Sequence, residues 1–207
     1  MQLLMRVLDA LLPPSRDALI MRKLTEPEVL VKLSPEPVSL HGHAGAALMP
    51  YRARHIGALV REAKFRGSDR AYELLACVLN EYLSGFLEDR EAYEARTLAI
   101  IPVPLSKKRF RERGYNQVDE VVKRTLFKEK RMPGALRRVR DTKAQTSLGR
   151  DARAKNLYGA FSASELDPSF LYMVVDDVYT TGATLGEAVR ALEAGGARHI
   201  VPIALSY

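Results

Sequence analysis

Apolar residues recur at helical spacing in two long segments of the chain. RHIGALVREAKF (54–65) and DRAYELLACVLNEYLSGFL (69–87) place them three and four residues apart, which predicts two amphipathic helices covering one side of a core. A third such pattern, TLGEAVRALEA (184–194), ends at two glycines that suit a helix C-terminus. The first 14 residues also place five leucines and one valine on one face before two prolines stop the helix.

Three other segments are short continuous apolar runs, which are typical of strands buried on both faces. They are TLAIIPVPL (97–105), LYMVVDD (171–177) and HIVPIALSY (199–207). Because strands alternate with helices, the sequence predicts an α/β fold with an open, mostly parallel sheet. We expect residues 1–50 to form an N-terminal helix and an irregular, hood-like segment of loop or short strands, and residues 51–207 to form the α/β domain, the two making one compact unit.

Two polar segments lie between these elements. SKKRFRERG (106–114) has no apolar periodicity and is predicted to be a basic loop, followed by a helix over 115–127 with Asn116 as N-cap. The stretch 135–161 is basic and weakly periodic, which predicts a long loop of the kind found in lids and binding sites.

Composition and charge narrow the functional classes. No apolar run approaches the roughly 20 residues that cross a bilayer, and charged residues interrupt the N-terminal apolar stretch, so we expect a cytoplasmic protein without a membrane span. The single cysteine, Cys77, can form no intrachain disulfide and is expected in the core of its helix. Between Lys107 and Lys155 there are 17 Lys and Arg against 6 Asp and Glu. This local excess indicates an anionic partner, a polyphosphate or a nucleic acid, unless it is simply a solvated basic face.

The stretch LYMVVDDVYTTGAT joins two carboxylates to a loop that suits an anion. Asp176 and Asp177 end a predicted parallel strand, where ligands of such sheets gather. The loop leads into a helix start with Thr184 as predicted N-cap and Glu187 three residues later, a capping box. Free backbone N–H groups and threonine hydroxyls there can wrap a phosphate, and Gly182 permits a positive φ. A ribose 5-phosphate moiety satisfies both halves, because its diol donates to carboxylates and a divalent cation can bridge the two.

The same stretch, MVVDDVYTTGAT, resembles the phosphoribosyl pyrophosphate (PRPP) motif of type I phosphoribosyltransferases. Together with IPVPLSKKRFRERGYNQ and RDTKAQTSLGRDARAKNLYGAF, in that order, it resembles the ComF family of competence-associated phosphoribosyltransferase-like proteins. The resemblance implies a type I phosphoribosyltransferase fold and magnesium as cofactor. It implies three groups of site residues. The first binds PRPP at the end of the strand and in the phosphate loop, and comprises Val175, Asp176, Asp177, Thr180, Thr181, Gly182, Ala183 and Thr184; of these, Asp176 and Asp177 are also the expected catalytic residues and are linked indirectly to magnesium. The second is the pyrophosphate loop, Val103, Pro104, Leu105 and Ser106, with the cations Lys107, Lys108 and Arg109, and the third is the hood loop, with Gln145, Arg153 and Asn156.

One departure from the family is visible. Many ComF proteins carry an N-terminal cysteine-rich zinc site after a helix and a Pro-Pro, but this chain has no cysteine before Cys77, so no zinc site is predicted. Three functions stay open: phosphoribosyl transfer with release of pyrophosphate; non-catalytic nucleotide sensing or single-stranded DNA binding with the competence machinery during DNA uptake; and nucleobase salvage. The acceptor and the oligomeric state, a homodimer included, are not decided by the sequence.

Overall fold

The central element of the structure is a five-stranded sheet. A computed structural model describes residues 15–88, 96–140 and 157–207. The strands are β1 (Glu36–Leu40), β2 (His43–Ala47), β3 (Leu98–Pro102), β4 (Leu136–Arg138), β5 (Phe161–Ala163), β6 (Leu171–Val178) and β7 (His199–Ser206). The helices are α1 (Arg16–Met21), α2 (Glu26–Leu30), α3 (Arg54–Arg66), α4 (Asp69–Glu88), α5 (Lys107–Arg113), α6 (Gln117–Val122) and α7 (Ala183–Ala194), with a 3-10 turn at Lys128–Lys130.

The sheet has the order β1-β2-β7-β6-β3. β1 and β2 form an antiparallel hairpin, while β2–β7, β7–β6 and β6–β3 pair in parallel. β4 and β5 form a separate antiparallel ribbon. The predicted α/β class with a mostly parallel sheet is therefore confirmed, and the hairpin shows that the proline-containing stretch before residue 50 adds strands to the sheet.

Apolar side chains cover both faces of the sheet, as the continuous apolar strands require. One face packs against α3, α4 and α6, with Leu59, Leu79 and Val121 among its fully buried residues. The other packs against α7 and the β4–β5 ribbon, with Leu192 and Phe161 in its core. The strand ends are therefore held from both sides, which fixes the position of the loops that follow them.

Four sequence predictions need correction. The segment 106–114 is not a loop but contains helix α5, because the Ser106 hydroxyl accepts a hydrogen bond from the Arg109 N–H and Gly114 ends the helix at φ 80°. The helix predicted over 115–127 ends at Val122, although Asn116 is its N-cap as expected. The long loop predicted over 135–161 contains β4 and β5 in its described part. Cys77 is partly exposed on α4 and does not lie in the core.

Some predictions concern residues beyond the described ranges. The N-terminal helix over the first 14 residues and the hood residues Gln145, Arg153 and Asn156 lie outside them. Among the described residues, none of the helices is both long and apolar enough to cross a bilayer.

Candidate functional site

Asp176 and Asp177 lie at the carboxyl end of β6, where the strand still pairs with β7. Successive side chains of a strand point to opposite faces, so the two carboxylates have different surroundings. Asp177 is buried at 8% exposure, whereas Asp176 is partly exposed. The Asp176 Oδ1 atom accepts a hydrogen bond of 2.9 Å from the Asp177 N–H.

Asp177 is held by a lysine and a glutamine from two helices. The Lys64 Nζ atom on α3 lies 2.6 Å from the Asp177 Oδ2 atom, and the Gln117 Nε2 atom on α6 donates to the same oxygen at 2.7 Å. The Arg113 guanidinium donates in turn to the Gln117 Oε1 atom at 3.0 Å. Burial by itself would raise the pKa of Asp177, but the Lys64 ammonium and these hydrogen bonds lower it below its ordinary value. Asp177 is therefore an ionised carboxylate with fixed partners.

Asp176 has the opposite electrostatic character. Although the residue as a whole is partly exposed, the surrounding protein desolvates its carboxyl group, and this desolvation together with the charge of Asp177 raises the pKa of Asp176 to about 7. A carboxylate that ionises near neutral pH at a strand end responds strongly to an arriving cation or hydrogen-bond donor. Asp176 is thus the member of the pair whose charge a ligand can change.

The loop between β6 and α7 turns at Gly182, which has φ 75° and is the N-cap of α7. A Cβ atom there would lie 2.8 Å from the Tyr179 hydroxyl oxygen, so both the backbone conformation and the space favour glycine. The Thr181 Oγ1 atom accepts from the Ala183 N–H at 3.4 Å. The residues that begin this 12-residue helix line a small concavity together with Thr180, and the first N–H groups of a helix have no partner within the helix.

The predicted capping box at the start of α7 is wrong. The N-cap is Gly182 and not Thr184, and Glu187 does not reach back to the cap. Its carboxylate instead accepts from the Gly159 N–H at 2.6 Å and from Arg190. Glu187 thereby joins α7 to the chain that leads into β5.

The loop after β3 forms the other wall of the site. The Asn116 side chain ties it down, because its Nδ2 atom donates to the Val103 carbonyl at 2.9 Å while its Oδ1 atom caps α6. Ser106 is buried and caps α5, which directs one side of that helix, with Arg109 and Arg113, toward the strand ends.

These walls enclose a cleft of about 330 Å³ at the carboxyl ends of β3 and β6. Such a volume is in the range of small-molecule sites. Four cations, two carboxylates and two threonines share it with apolar groups. Its lining residues are Lys64, Phe65, Val103, Pro104, Leu105, Arg109, Arg113, Gln117, Arg138, Asp176, Asp177, Val178, Thr180 and Thr184.

The structure brings eight of the sequence-predicted site residues to this cleft: Val103, Pro104, Leu105, Arg109, Asp176, Asp177, Thr180 and Thr184. Val175 is fully buried in the core. Ser106 serves as the helix cap, and Lys107 lines a neighbouring cleft on the other side of Pro104. Lys108 is largely exposed and lies 4.0 Å from Glu112.

Six cleft residues were absent from the sequence prediction of the site: Lys64, Phe65, Arg113, Gln117, Arg138 and Val178. Arg113 belongs to the basic segment that the sequence singled out, so its charge was a usable signal. Lys64 and Phe65 end an ordinary amphipathic helix far from the motif, and nothing in their spacing distinguishes them from a solvated face.

The two carboxylates are the groups of the site that could hold a metal ion. Among the described residues, no group of three or more His, Cys, Asp and Glu side chains is arranged to hold a metal ion. Magnesium is often bound through one or two carboxylates together with phosphate oxygens of a substrate and water. Asp176 fits that pattern, whereas Asp177 already has Lys64 and Gln117 as partners.

Comparison with known proteins gives named relatives. No protein-family model matches the chain. Competence protein F of Haemophilus influenzae is 39% identical over 108 residues, which are 49% of this chain and 47% of the relative. Competence protein ComFC of Streptococcus pneumoniae is 30% identical over 132 residues, 64% of this chain and 56% of the relative. DNA utilization protein YhgH of Salmonella typhi is 35% identical over 147 residues, 67% of this chain and 61% of the relative. The chain thus spans about half of the length of the curated relatives it matches, from 47% to 61% in these three.

Proposed function

Because the chain belongs to the ComF family, whose curated members it matches at 30% to 39% identity, we propose that its cleft binds a ribose 5-phosphate moiety, as PRPP with magnesium. The observation that carries the proposal is the meeting of the Asp176–Asp177 pair, the N-terminus of α7 and several cations in one cleft. An ordinary anion site needs no carboxylates and a cation site needs no arginines. A ligand with both a diol and phosphates uses all three groups.

Each group has a chemical part in the proposed binding. The ribose hydroxyls donate to the ionised Asp177 carboxylate, and the 5-phosphate accepts from the N–H groups at the start of α7 and from Thr180 and Thr184. Arg109 and Arg113 lie on the side where the pyrophosphate of the ligand is expected, and guanidinium groups bind phosphate in a bidentate manner.

The reaction we propose is phosphoribosyl transfer. The bond between the anomeric carbon and a pyrophosphate oxygen breaks, the oxygen keeps the electron pair, and the acceptor forms the new bond. Positive charge that builds on the ribose is stabilised by the adjacent carboxylates, and the arginines stabilise the departing pyrophosphate. Asp176 would hold magnesium, which supplies further neutralisation of pyrophosphate charge.

Calorimetric titration with PRPP in the presence of magnesium tests the binding. We expect saturable binding that the double substitution Asp176→Asn, Asp177→Asn abolishes. Asp167→Asn is the matched control, since the hydrogen bonds described for the Asp167 side chain come from Ser169 and Asp167 is not among the residues that line the cleft. Absence of PRPP binding to the unmodified protein, or unchanged binding in the double variant, refutes the proposal. Release of pyrophosphate with a set of acceptors then tests turnover.

A second candidate function is single-stranded DNA binding in competence or DNA uptake. It is favoured by three exposed cations of α5 that are not among the residues lining the cleft, Lys107, Lys108 and Arg111, and by the relatives named for competence and DNA utilization. Contacts of this kind give affinities that fall steeply with salt. We expect an oligonucleotide to bind at low salt and to be weakened by Lys107→Gln with Lys108→Gln but not by Lys32→Gln, a control on an exposed surface elsewhere. No binding at low salt excludes this function.

A further inference from the structure

Phe65 is an aromatic side chain at the cleft that core packing does not explain. It is 63% exposed, although the preceding turns of α3 bury Leu59, Val60 and Ala63 in the core. Of the large apolar side chains that the described residues expose, Phe65 is the one that lines this cleft. An exposed aromatic ring beside a polar site supplies a flat apolar surface for a ligand.

The ring is tied to the carboxylate pair through a closed set of contacts. The Arg113 guanidinium carbon lies 5.2 Å from the centroid of the Phe65 ring. Arg113 donates to Gln117, Gln117 donates to Asp177, and Asp177 pairs with Lys64, the residue next to Phe65 on α3. The position of the ring is therefore fixed relative to the carboxylate that we assign to the ribose.

We propose that Phe65 is a stacking platform for the base of a nucleotide, and that the ligand class of the cleft includes nucleoside 5′-monophosphates. This inference rests on the proposed ribose 5-phosphate site. In a nucleotide the 5-phosphate and the base are attached to opposite ends of the ribose. When the ribose lies at Asp177 and its phosphate in the phosphate loop, the base therefore contacts the remaining walls of the same cleft. Stacking on an aromatic ring accepts every base, and an arginine on that ring adds a cation–π contribution.

The test compares two ligands in the presence of magnesium, adenosine 5′-monophosphate and ribose 5-phosphate. We expect the unmodified protein to bind the nucleotide about tenfold more tightly than the sugar phosphate, because a stacked base adds affinity of that order. Phe65→Leu keeps an apolar side chain but removes the ring. It should weaken the nucleotide about tenfold and leave ribose 5-phosphate unchanged, and Phe65→Tyr should restore nucleotide binding.

Phe110→Leu is the matched control, since Phe110 is an exposed phenylalanine that lines the neighbouring cleft. It should change neither affinity. Equal losses for both ligands in Phe65→Leu, or no loss for either, overturn the stacking role. A protein that binds ribose 5-phosphate but binds the nucleotide no more tightly also overturns it and leaves the proposed function standing. A protein that binds neither ligand overturns the proposed function itself.

Discussion

Removal of the Lys64 ammonium, as in Lys64→Met, should destabilise the fold because it leaves the Asp177 carboxylate buried without its cationic partner. The two groups are 2.6 Å apart, and their side chains are 25% and 12% exposed. Breaking a fully buried ion pair costs about 3 to 5 kcal/mol. Partial exposure of Lys64 and the remaining hydrogen bond from Gln117 reduce that cost, so we expect a loss of about 2 kcal/mol in the free energy of unfolding.

The loss should depend on pH in a defined direction. In the unmodified protein the pKa of Asp177 is lowered, so its stabilising contribution is present above its ordinary pKa of 3.8 and lost only as the pH falls through the lower folded value. In Lys64→Met the largest lowering influence is gone and burial raises the pKa. Ionisation of Asp177 then destabilises the variant progressively as the pH rises. The difference between the two proteins should therefore be largest near pH 7.5 and narrow toward pH 4.5.

Urea unfolding followed by circular dichroism at several pH values measures this difference. The double variant Lys64→Met, Asp177→Asn should recover at least half of the lost stability, since the uncompensated charge is absent. Lys108→Met is a control, because Lys108 is 75% exposed and its partner Glu112 lies 4.0 Å away. A Lys64→Met protein as stable as the original, or a loss that does not change with pH, would contradict the electrostatic account.

Three further substitutions follow from the geometry of the cleft. The pKa of Asp176 is raised to about 7, so protonation of this carboxylate should lower the affinity for PRPP with magnesium about tenfold from pH 8 to pH 6, and Asp176→Asn should leave only the smaller dependence that comes from the phosphates of the ligand. Gly182→Ala should cost about 2 kcal/mol in urea unfolding and weaken phosphate binding, since φ is 75° and the new Cβ atom meets Tyr179. Gly134→Ala is its control, with nothing within 4 Å of the added atom. Ser106→Ala should cost about 1 kcal/mol by the same measurement, because it removes the N-cap of α5.

The three parallel strands β3, β6 and β7 were predictable from the sequence because strong local patterns determine them. The apolar runs that became β3, β6 and β7 are too continuous for amphipathic helices, and the acidic pair at the end of β6 marks the edge where parallel strands place ligands. Helix α5 was not predictable in this way. It buries none of its side chains, so its sequence has no apolar period, and it is defined by a serine and a glycine at its ends.

The residues that complete the cleft required the tertiary structure. Lys64 reaches Asp177 because α3 and β6 contribute side chains to the same apolar core, a relation that depends on the whole fold and not on any spacing in the sequence. The error at Glu187 has a similar cause. The sequence has the spacing of a capping box, but the Glu187 carboxylate accepts hydrogen bonds from Arg190 and from the Gly159 N–H, and the latter is close only in the folded chain.

Helix α5 holds five cationic side chains and one glutamate within seven residues, and none of them is buried. Its like charges repel one another along the helix, and no apolar face compensates for that repulsion. An anion bound between α5 and the strand ends would relieve the repulsion and order the helix at the same time. Ligand capture and local folding are then one coupled equilibrium, so the backbone amides of α5 should exchange with solvent faster than those of the sheet and be slowed selectively by a phosphate-bearing ligand.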